Sequence, residues 1–406
     1  MSPLGRRRPG TAGGWPPWLV RVLVAVALTQ SALNLARPAT SYRALALGAD
    51  ARAIGLITAA YAVVPVLVAL RLGRLADRRS PAPLFVAGTL GLAAGCALLA
   101  VAVSLPQLAL ASAVLGFGHL AFMVGGQTLI GVQSDADRQD RDYGLYTALT
   151  SLGQLVGPAL AGFVLAGSGA RPSVEATTGA FLLATALALL ALPFSWHVRA
   201  RRRREAGPVP DQPGGTGLRL LRVPGLPAGL LVSLALLAAV DLLTAYLPVL
   251  AEQAGIGPGV VGLLLSLRAV GSIASRLLLG RLVARWGRVR LLVGSTLGSA
   301  ALLAALPLFS SAWAWAALLI VSGVLLGVGQ PLTMVLVVRA APDGARGSAL
   351  AMRLTGNRLG QVAVPAAAGL AAGAAGAAAA FWLLGGLLAV AALAAALRPT
   401  DDPRSP

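Results

Sequence analysis

Apolar runs of about 20 residues recur along the whole chain, separated by short polar breaks. Each is long enough for a helix to cross a hydrocarbon layer of roughly 30 Å, and the polar positions inside them are too sparse for amphipathic soluble helices. Twelve spans are predicted, at 16–38, 53–72, 82–103, 106–132, 144–167, 175–196, 223–250, 259–279, 289–309, 312–338, 347–371 and 376–397. The first follows Arg6, Arg7 and Arg8, as a cleavable signal would, but eleven more spans come after it and no small-residue cleavage site stands out, so it is read as a retained helix. The pattern predicts an all-α membrane protein.

The longest polar break, "HVRARRRREAGPVPDQPGGTGLRLLR" at 197–222, divides six spans from six. Clustered Arg followed by Pro and Gly predicts a flexible linker between bundles at 1–196 and 223–406, although an Arg run of this kind also suits anionic lipid headgroups or RNA. The halves repeat. "GRLADRR" at 73–79 matches "GRLVARW" at 280–286, and "LGQLVGPALAG" at 152–162 matches "LGQVAVPAAAG" at 359–369, both 207 residues apart. "LGFGHLAFMV" at 115–124 resembles "LGVGQPLTMV" at 326–335, shifted by four from that spacing. The chain therefore reads as a duplicated six-helix unit, which predicts a substrate site between the halves near the middle of the membrane.

Composition agrees: 57% of the 406 residues are hydrophobic and 12% charged, with a mean hydropathy of +0.79. The net charge of +19 would fit a nucleic-acid partner, but orientation accounts for it better. With both termini inside, 27 of the 33 basic residues fall on the cytoplasmic side, Arg37, Arg43, Arg52 and Arg171 outside, and Arg268 and Arg358 within the membrane. This predicts a multi-pass protein of the plasma membrane, with lipids but no nucleic acid as partners. All 33 basic residues are Arg, which is attributed to nucleotide-composition bias. The single Cys96 excludes an internal disulfide. Trp15, Trp18, Trp196, Trp286, Trp313 and Trp315 fall near span ends, as interfacial anchors do.

Charged, amide and His side chains lie well inside spans 1 (Gln30, Asn34, Arg37), 4 (His119, Gln127), 5 (Gln154), 7 (Asp241), 8 (Arg268), 10 (Gln330) and 11 (Arg353, Asn357, Arg358, Gln361). Spans 3, 6, 9 and 12 have none, so every third helix is expected at the periphery, with the rest around a polar interior. Helical spacing places Gln30, Asn34 and Arg37 on one face. Arg268, Ser272 and Ser275 do the same on span 8, Arg353, Asn357 and Gln361 on span 11, and Thr147, Ser151 and Gln154 on span 5. Four such stripes predict a shared, water-accessible cavity, lined also by His119, Gln330 and Arg358. Asp241 is the one carboxylate deep in a span. It can load and release a proton as the cavity opens to each side, form a permanent pair with Arg268, or touch substrate. His119 reads as either a hydrogen-bonding filler or a proton carrier. Two His and one Cys make no metal site, and a chain without Lys has no phosphate-binding loop of the Gly-x-x-x-x-Gly-Lys type. No cofactor and no enzymatic activity are expected.

"GRLADRR" after span 2, its degenerate copy after span 8 and the six-plus-six layout resemble the major facilitator superfamily over essentially the whole chain. Gly73, Leu75, Ala76, Asp77 and Arg78 match that family's loop pattern, while Ser80 and Pro81 depart from it. The resemblance implies a fold of two pseudo-symmetric bundles, secondary active transport of a small solute by alternating access, and a gate of Gly73, Asp77, Arg78 and Arg346. In that gate Asp77 accepts hydrogen bonds from the first amides of span 11 when the cytoplasmic side is closed, and Gly73 lets backbones approach. The competing reading is that basic inner loops merely hold topology. Ala284 stands where a second aspartate would, so the latch is one-sided. "GQLVGPALAG" resembles a span-5 pattern of exporting members, with Ala161 replacing a Gly. The aspartate and arginine frequent in spans 1 and 4 of proton-coupled drug exporters are replaced by Thr29 and Ser112. The expectation is a monomeric secondary transporter working as a proton-coupled exporter; the alternatives are an importer of a small polar or anionic metabolite and, third, a non-transporting sensor or scaffold.

Overall fold

The computed structural model describes residues 15–78, 80–135, 137–198, 220–342 and 345–397; for 70, 74, 77, 78, 346 and 347 it gives the backbone course alone. Twelve long helices are present among them: α1 Pro17–Ala46, α2 Ala51–Arg78, α3 Pro81–Val101, α4 Leu105–Gln133, α5 Gln139–Leu165, α6 Val174–Leu190, α7 Leu226–Gln253, α8 Pro258–Trp286, α9 Arg288–Ala305, α10 Ala312–Ala340, α11 Arg346–Ala375 and α12 Ala377–Ala396. A further helical turn, Leu192–Trp196, prolongs α6. Eleven spans are long and apolar enough to cross a membrane; α11 has the length, but Arg353, Asn357, Arg358 and Gln361 make it more polar. Most of the linker expected at 197–222 lies outside the described residues.

The duplication is structural. Helices α2 to α5 and α8 to α11 begin at positions 207 residues apart. The spacing also holds through α4 and α10. Gly116 packs on the carbonyl of Tyr61 as Gly323 packs on that of Arg268. Tyr146 donates to Met123 Sδ (3.3 Å) where Arg353 donates to Gln330 Oε1 (3.1 Å). The shift of four suggested by the α4 and α10 segments is thus a chance likeness, because packing equates Met123, not His119, with Gln330.

The halves meet along α2 with α11, α5 with α8, and α1 with α7. Helices α3, α6, α9 and α12 pack within their own halves, the peripheral position expected from their lack of polar side chains. Glycine sets the crossings. A Cβ on Gly55 would stand 2.6 Å from the Cα of Gly369, and one on Gly262 would stand 2.8 Å from that of Gly162, so only a bare backbone fits. These two contacts are again 207 residues apart. Both lie toward the end of the bundle opposite the linker. There Tyr246 also donates to the Ala51 carbonyl (2.8 Å), and Arg171 pairs with Glu252 (3.3 Å).

Helix α1 runs eight residues past its predicted end at 38. A proline inside a membrane helix costs little when neighbours re-satisfy the backbone, and Pro38 is buried. In consequence Arg43 is not in an outer loop. It is wholly buried in the first bundle, donating to Thr177 Oγ1 (2.6 Å), Thr178 Oγ1 (2.6 Å), the Ala102 carbonyl (2.7 Å) and the Val174 carbonyl (3.1 Å), with its guanidinium over Phe181. It ties α1, α3 and α6 together without a carboxylate. Trp315 also departs from expectation. It is fully buried and donates to the carbonyls of Leu306 (3.0 Å) and Phe309 (2.9 Å), pinning the α9–α10 turn, whereas Trp15, Trp196, Trp286 and Trp313 are exposed as anchors should be.

If the glycine crossings hold the halves together, Gly55→Val and Gly262→Val should each cost about 1–3 kcal/mol by overpacking against a backbone that cannot retreat. The purified variants should melt several degrees below wild type, while Gly280→Val, at a site with open space, should not.

Candidate functional site

Helices α1 and α7 cross at the centre of the molecule, each enclosed by its own bundle. On them Arg37 and Asp241 form an ion pair, Nη1 to Oδ1 2.7 Å, with both side chains largely buried. Equivalence between α1 and α7 follows from their packing partners. Gly153 of α5 sits against Gln30, and its counterpart Gly360 of α11 sits against Leu234, which sets an offset of 204 for this helix pair. Arg37 and Asp241 are 204 residues apart, so they occupy equivalent positions and meet across the pseudo-twofold axis.

The pair anchors a network. Gln361 donates to Asp241 Oδ2 (2.6 Å) and accepts from Arg358 Nη1 (2.9 Å). On the other side the Arg37 guanidinium lies over the Tyr61 ring, 5.1 Å from its centroid, a contact worth about 0.5–2 kcal/mol. The Tyr61 hydroxyl is 2.6 Å from His119 Nδ1, and His119 Nε2 is 3.3 Å from Gln30 Nε2. Five helices, α1, α2, α4, α7 and α11, thereby share one chain of polar contacts spanning both halves. Beside it a cleft is lined by Arg37, Thr40, Thr58, Tyr61, Ser112 and Thr244.

The structure brings most of the expected site residues together, but not all in the expected way. Gln30, Arg37, His119, Asp241, Arg358 and Gln361 are joined as described. Asn34 Nδ2 donates to the Gln30 carbonyl (2.8 Å), and Asn357 is buried with Oδ1 unpartnered. Gln330 is engaged by Arg353, which also donates to Thr333 Oγ1 (3.2 Å) and so braces α10 against α11. Gln154, the counterpart of Gln361, is half-buried and has no hydrogen bond among the described residues. Gln127 is exposed. The permanent pair of Asp241 with Arg268 is not formed: the carboxylate is taken by Arg37 and Gln361, and Arg268 has no ion pair among the described residues. Ser272 and Ser275 line a seam against Gly327 of α10, so beyond Arg268 that polar stripe serves packing. At the expected gate, the side chains of Asp77, Arg78 and Arg346 lie outside the described residues. A Cβ on Gly73 would meet nothing within 4 Å among the described residues.

Neither Tyr61 nor Arg43 is among the polar residues expected inside the spans. Tyr61 carries a hydroxyl at mid-span, a signal overlooked when only charged, amide and His groups are counted. Arg43 was hidden by taking Pro38 as a helix end.

A family model for the major facilitator superfamily matches residues 22–257 and 229–406. The chain belongs to the major facilitator superfamily. Two uncharacterized MFS-type transporters, from two strains of Mycobacterium tuberculosis, are 36% identical over 121 residues, a match spanning 30% of this chain and 28% of theirs. Among solved structures, the nucleoside transporter NupG superposes with a TM-score of 0.73 at 15% identity, over 94% of this chain and 97% of that one. A D-xylose-proton symporter gives 0.74 at 16%, over 93% and 95%. A bacterial homolog of the human lysosomal transporter Spinster, in an inward-facing and unoccupied conformation, gives 0.73 at 14%, over 95% and 96%. At these identities the likeness is one of fold. The protein is a multi-pass membrane member of this superfamily.

Truncating either member of a buried ion pair leaves the other charge uncompensated, at a cost of about 3–5 kcal/mol. Arg37→Met and Asp241→Leu should each lower the melting temperature, and the double substitution should recover much of the loss. A thermal double-mutant cycle giving independent effects would contradict the pairing.

Proposed function

We propose that this facilitator is a secondary active transporter that moves a small solute by alternating access, using a proton as coupling ion and working as an exporter. The observation that carries the reading is the Arg37–Asp241 pair, a charge contact between the halves at the centre of the molecule. Protonation of Asp241 removes its charge and frees Arg37, so the cross-half tie weakens when a proton arrives and re-forms when it leaves. A ligand or proton shifts two conformations only by its differential affinity for them, and about 5.5 kcal/mol carries a 1:99 balance to 99:1. One charge moving through 100 mV contributes about 2.3 kcal/mol, so a protonmotive cycle works on the right scale.

Positive-inside charge puts the linker end in the cytoplasm, with both termini there. The glycine crossings and Tyr246–Ala51 bond then close the outer side, which fits a cytoplasm-facing state. Export is supported by the Gly153–Gly162 segment, whose glycines seat α5 against α1 and α8. Proton-driven import is the second reading, favoured by the fold's likeness to a D-xylose-proton symporter.

In proteoliposomes with an imposed pH gradient and a panel of labelled metabolites, Asp241→Asn should lose gradient-driven accumulation by at least about tenfold while retaining passive exchange. Full gradient-driven flux in that variant would sink the proton assignment. Asp77→Ala should fold normally and slow transport in both directions, because the cytoplasmic latch is lost; unchanged flux would leave that loop a purely topological device.

A further inference from the structure

Arg268 stands apart from the other buried cations. Its residual exposure is 5%, its Nε is buried without a partner, and neither Nη makes a hydrogen bond or ion pair among the described residues. Arg276 and Arg353 share an unpartnered Nε, but each donates from an Nη, to Ser151 and to Gln330 and Thr333 respectively, while Arg43 is held by hydroxyls and carbonyls and Arg37 by Asp241. Arg268 lies within electrostatic range of Arg37, Arg276 and Asp241, so its surroundings carry more positive than negative charge. Asp241 cannot neutralise both neighbours at once, since one oxygen is on Arg37 and the other on Gln361. A desolvated guanidinium is strongly disfavoured unless an anion meets it, and its planar fork suits two oxygens of one group. The Asn357 Oδ1 and the Gln330 Nε2 are also buried and unpartnered in the same half, so this bundle holds further polar atoms without a partner.

We propose that Arg268 is the docking point for an oxyanion, so that the transported solute carries a carboxylate or phosphate group paired with this guanidinium. The inference rests on the transport reading and adds the substrate class to it. The solute's anionic group takes the place that Asp241 leaves empty, and it compensates the excess charge of the second half while the first half keeps its Tyr61–His119 contact.

Thermal unfolding of the purified full-length protein tests this without any flux measurement. Succinate, benzoate and inorganic phosphate serve as probes, with glucose and choline chloride as controls. At least one anion should raise the wild-type melting temperature by about 3 °C or more. Arg268→Gln should abolish that shift, Arg268→Lys should weaken it, and Arg288→Gln, which removes an exposed charge of the same sign, should keep it. Without any probe, Arg268→Gln should melt at or above wild type, because an uncompensated buried charge has been removed. The proposal is overturned if none of the anions stabilises the protein, if the shift survives in Arg268→Gln, or if that variant alone melts several degrees lower, as a structural arginine would. Anion protection through Arg268 without gradient-driven transport would sink the proton cycle and leave the oxyanion site standing.

Discussion

The Arg37–Asp241 contact is the interaction on which the rest of the arrangement depends. It joins equivalent positions of two homologous bundles, so it sits on the axis about which they are related. A pair of like charges at such a point would force the halves apart, and a neutral pair would leave nothing to switch. Opposite charges give an attraction that depends on the protonation of one partner. In a medium of low dielectric that dependence is steep, because the unpaired arginine is far costlier than the pair.

The polar groups divide by what they connect. Those inside one bundle meet neutral acceptors: Arg43 spends its donors on two threonines and several carbonyls, and Arg353 turns one Nη to Gln330 and Thr333 while its Nε stays unpartnered. Such networks hold each bundle as a unit. Between the bundles, among the described residues, run the Arg37–Asp241 and Arg171–Glu252 pairs and hydrogen bonds of Tyr246 to Ala51, Ser266 to Leu155 and Arg276 to Ser151, while the closest backbone approaches are bare glycine at Gly55–Gly369 and Gly162–Gly262. Glycine surfaces approach closely without interlocking side chains, which suits a joint that must open. Stiff halves and a smooth, charge-latched seam are what a rocking mechanism requires.

Much of this could be read from the chain. The duplication, the peripheral helices and the residues of the central network follow from apolar run lengths, the 207-residue repeat and the rule that polar groups avoid lipid. What could not be read was which polar stripe faces water and which faces another helix. Ser272 and Ser275 have the spacing of cavity residues, yet they pack on Gly327, because small hydroxyls fill helix seams as readily as they line pores. Nor does spacing reveal partners. Asp241 and Arg268 look like a pair when α7 and α8 are considered alone, and only the crossing of α1 over α7 brings Arg37 closer. The likeness of the α4 and α10 segments misled for a related reason: glycine-rich helices resemble one another at several offsets, and only the contacts of Gly116 and Gly323 fix the true one.

Where the halves diverge is as informative as where they agree. Tyr61 and Arg268 occupy equivalent places, each with its carbonyl against a glycine of the neighbouring helix. The first bundle puts a phenol there and satisfies it with His119; the second puts a guanidinium there and leaves it bare. Gln361 reaches the central carboxylate, and its counterpart Gln154 reaches nothing among the described residues. A symmetric scaffold allows either side to open at similar cost, so discrimination has to come from such departures. Here they put a hydrogen-bonded phenol at one of two equivalent places and a guanidinium without a hydrogen bond among the described residues at the other. Under the oxyanion proposal, a solute bound between the halves turns its anionic end toward Arg268 on α8 and an uncharged face toward Tyr61 and His119 on α2 and α4, and a uniformly cationic solute is disfavoured because the oxygens of Asp241 are already engaged by Arg37 and Gln361.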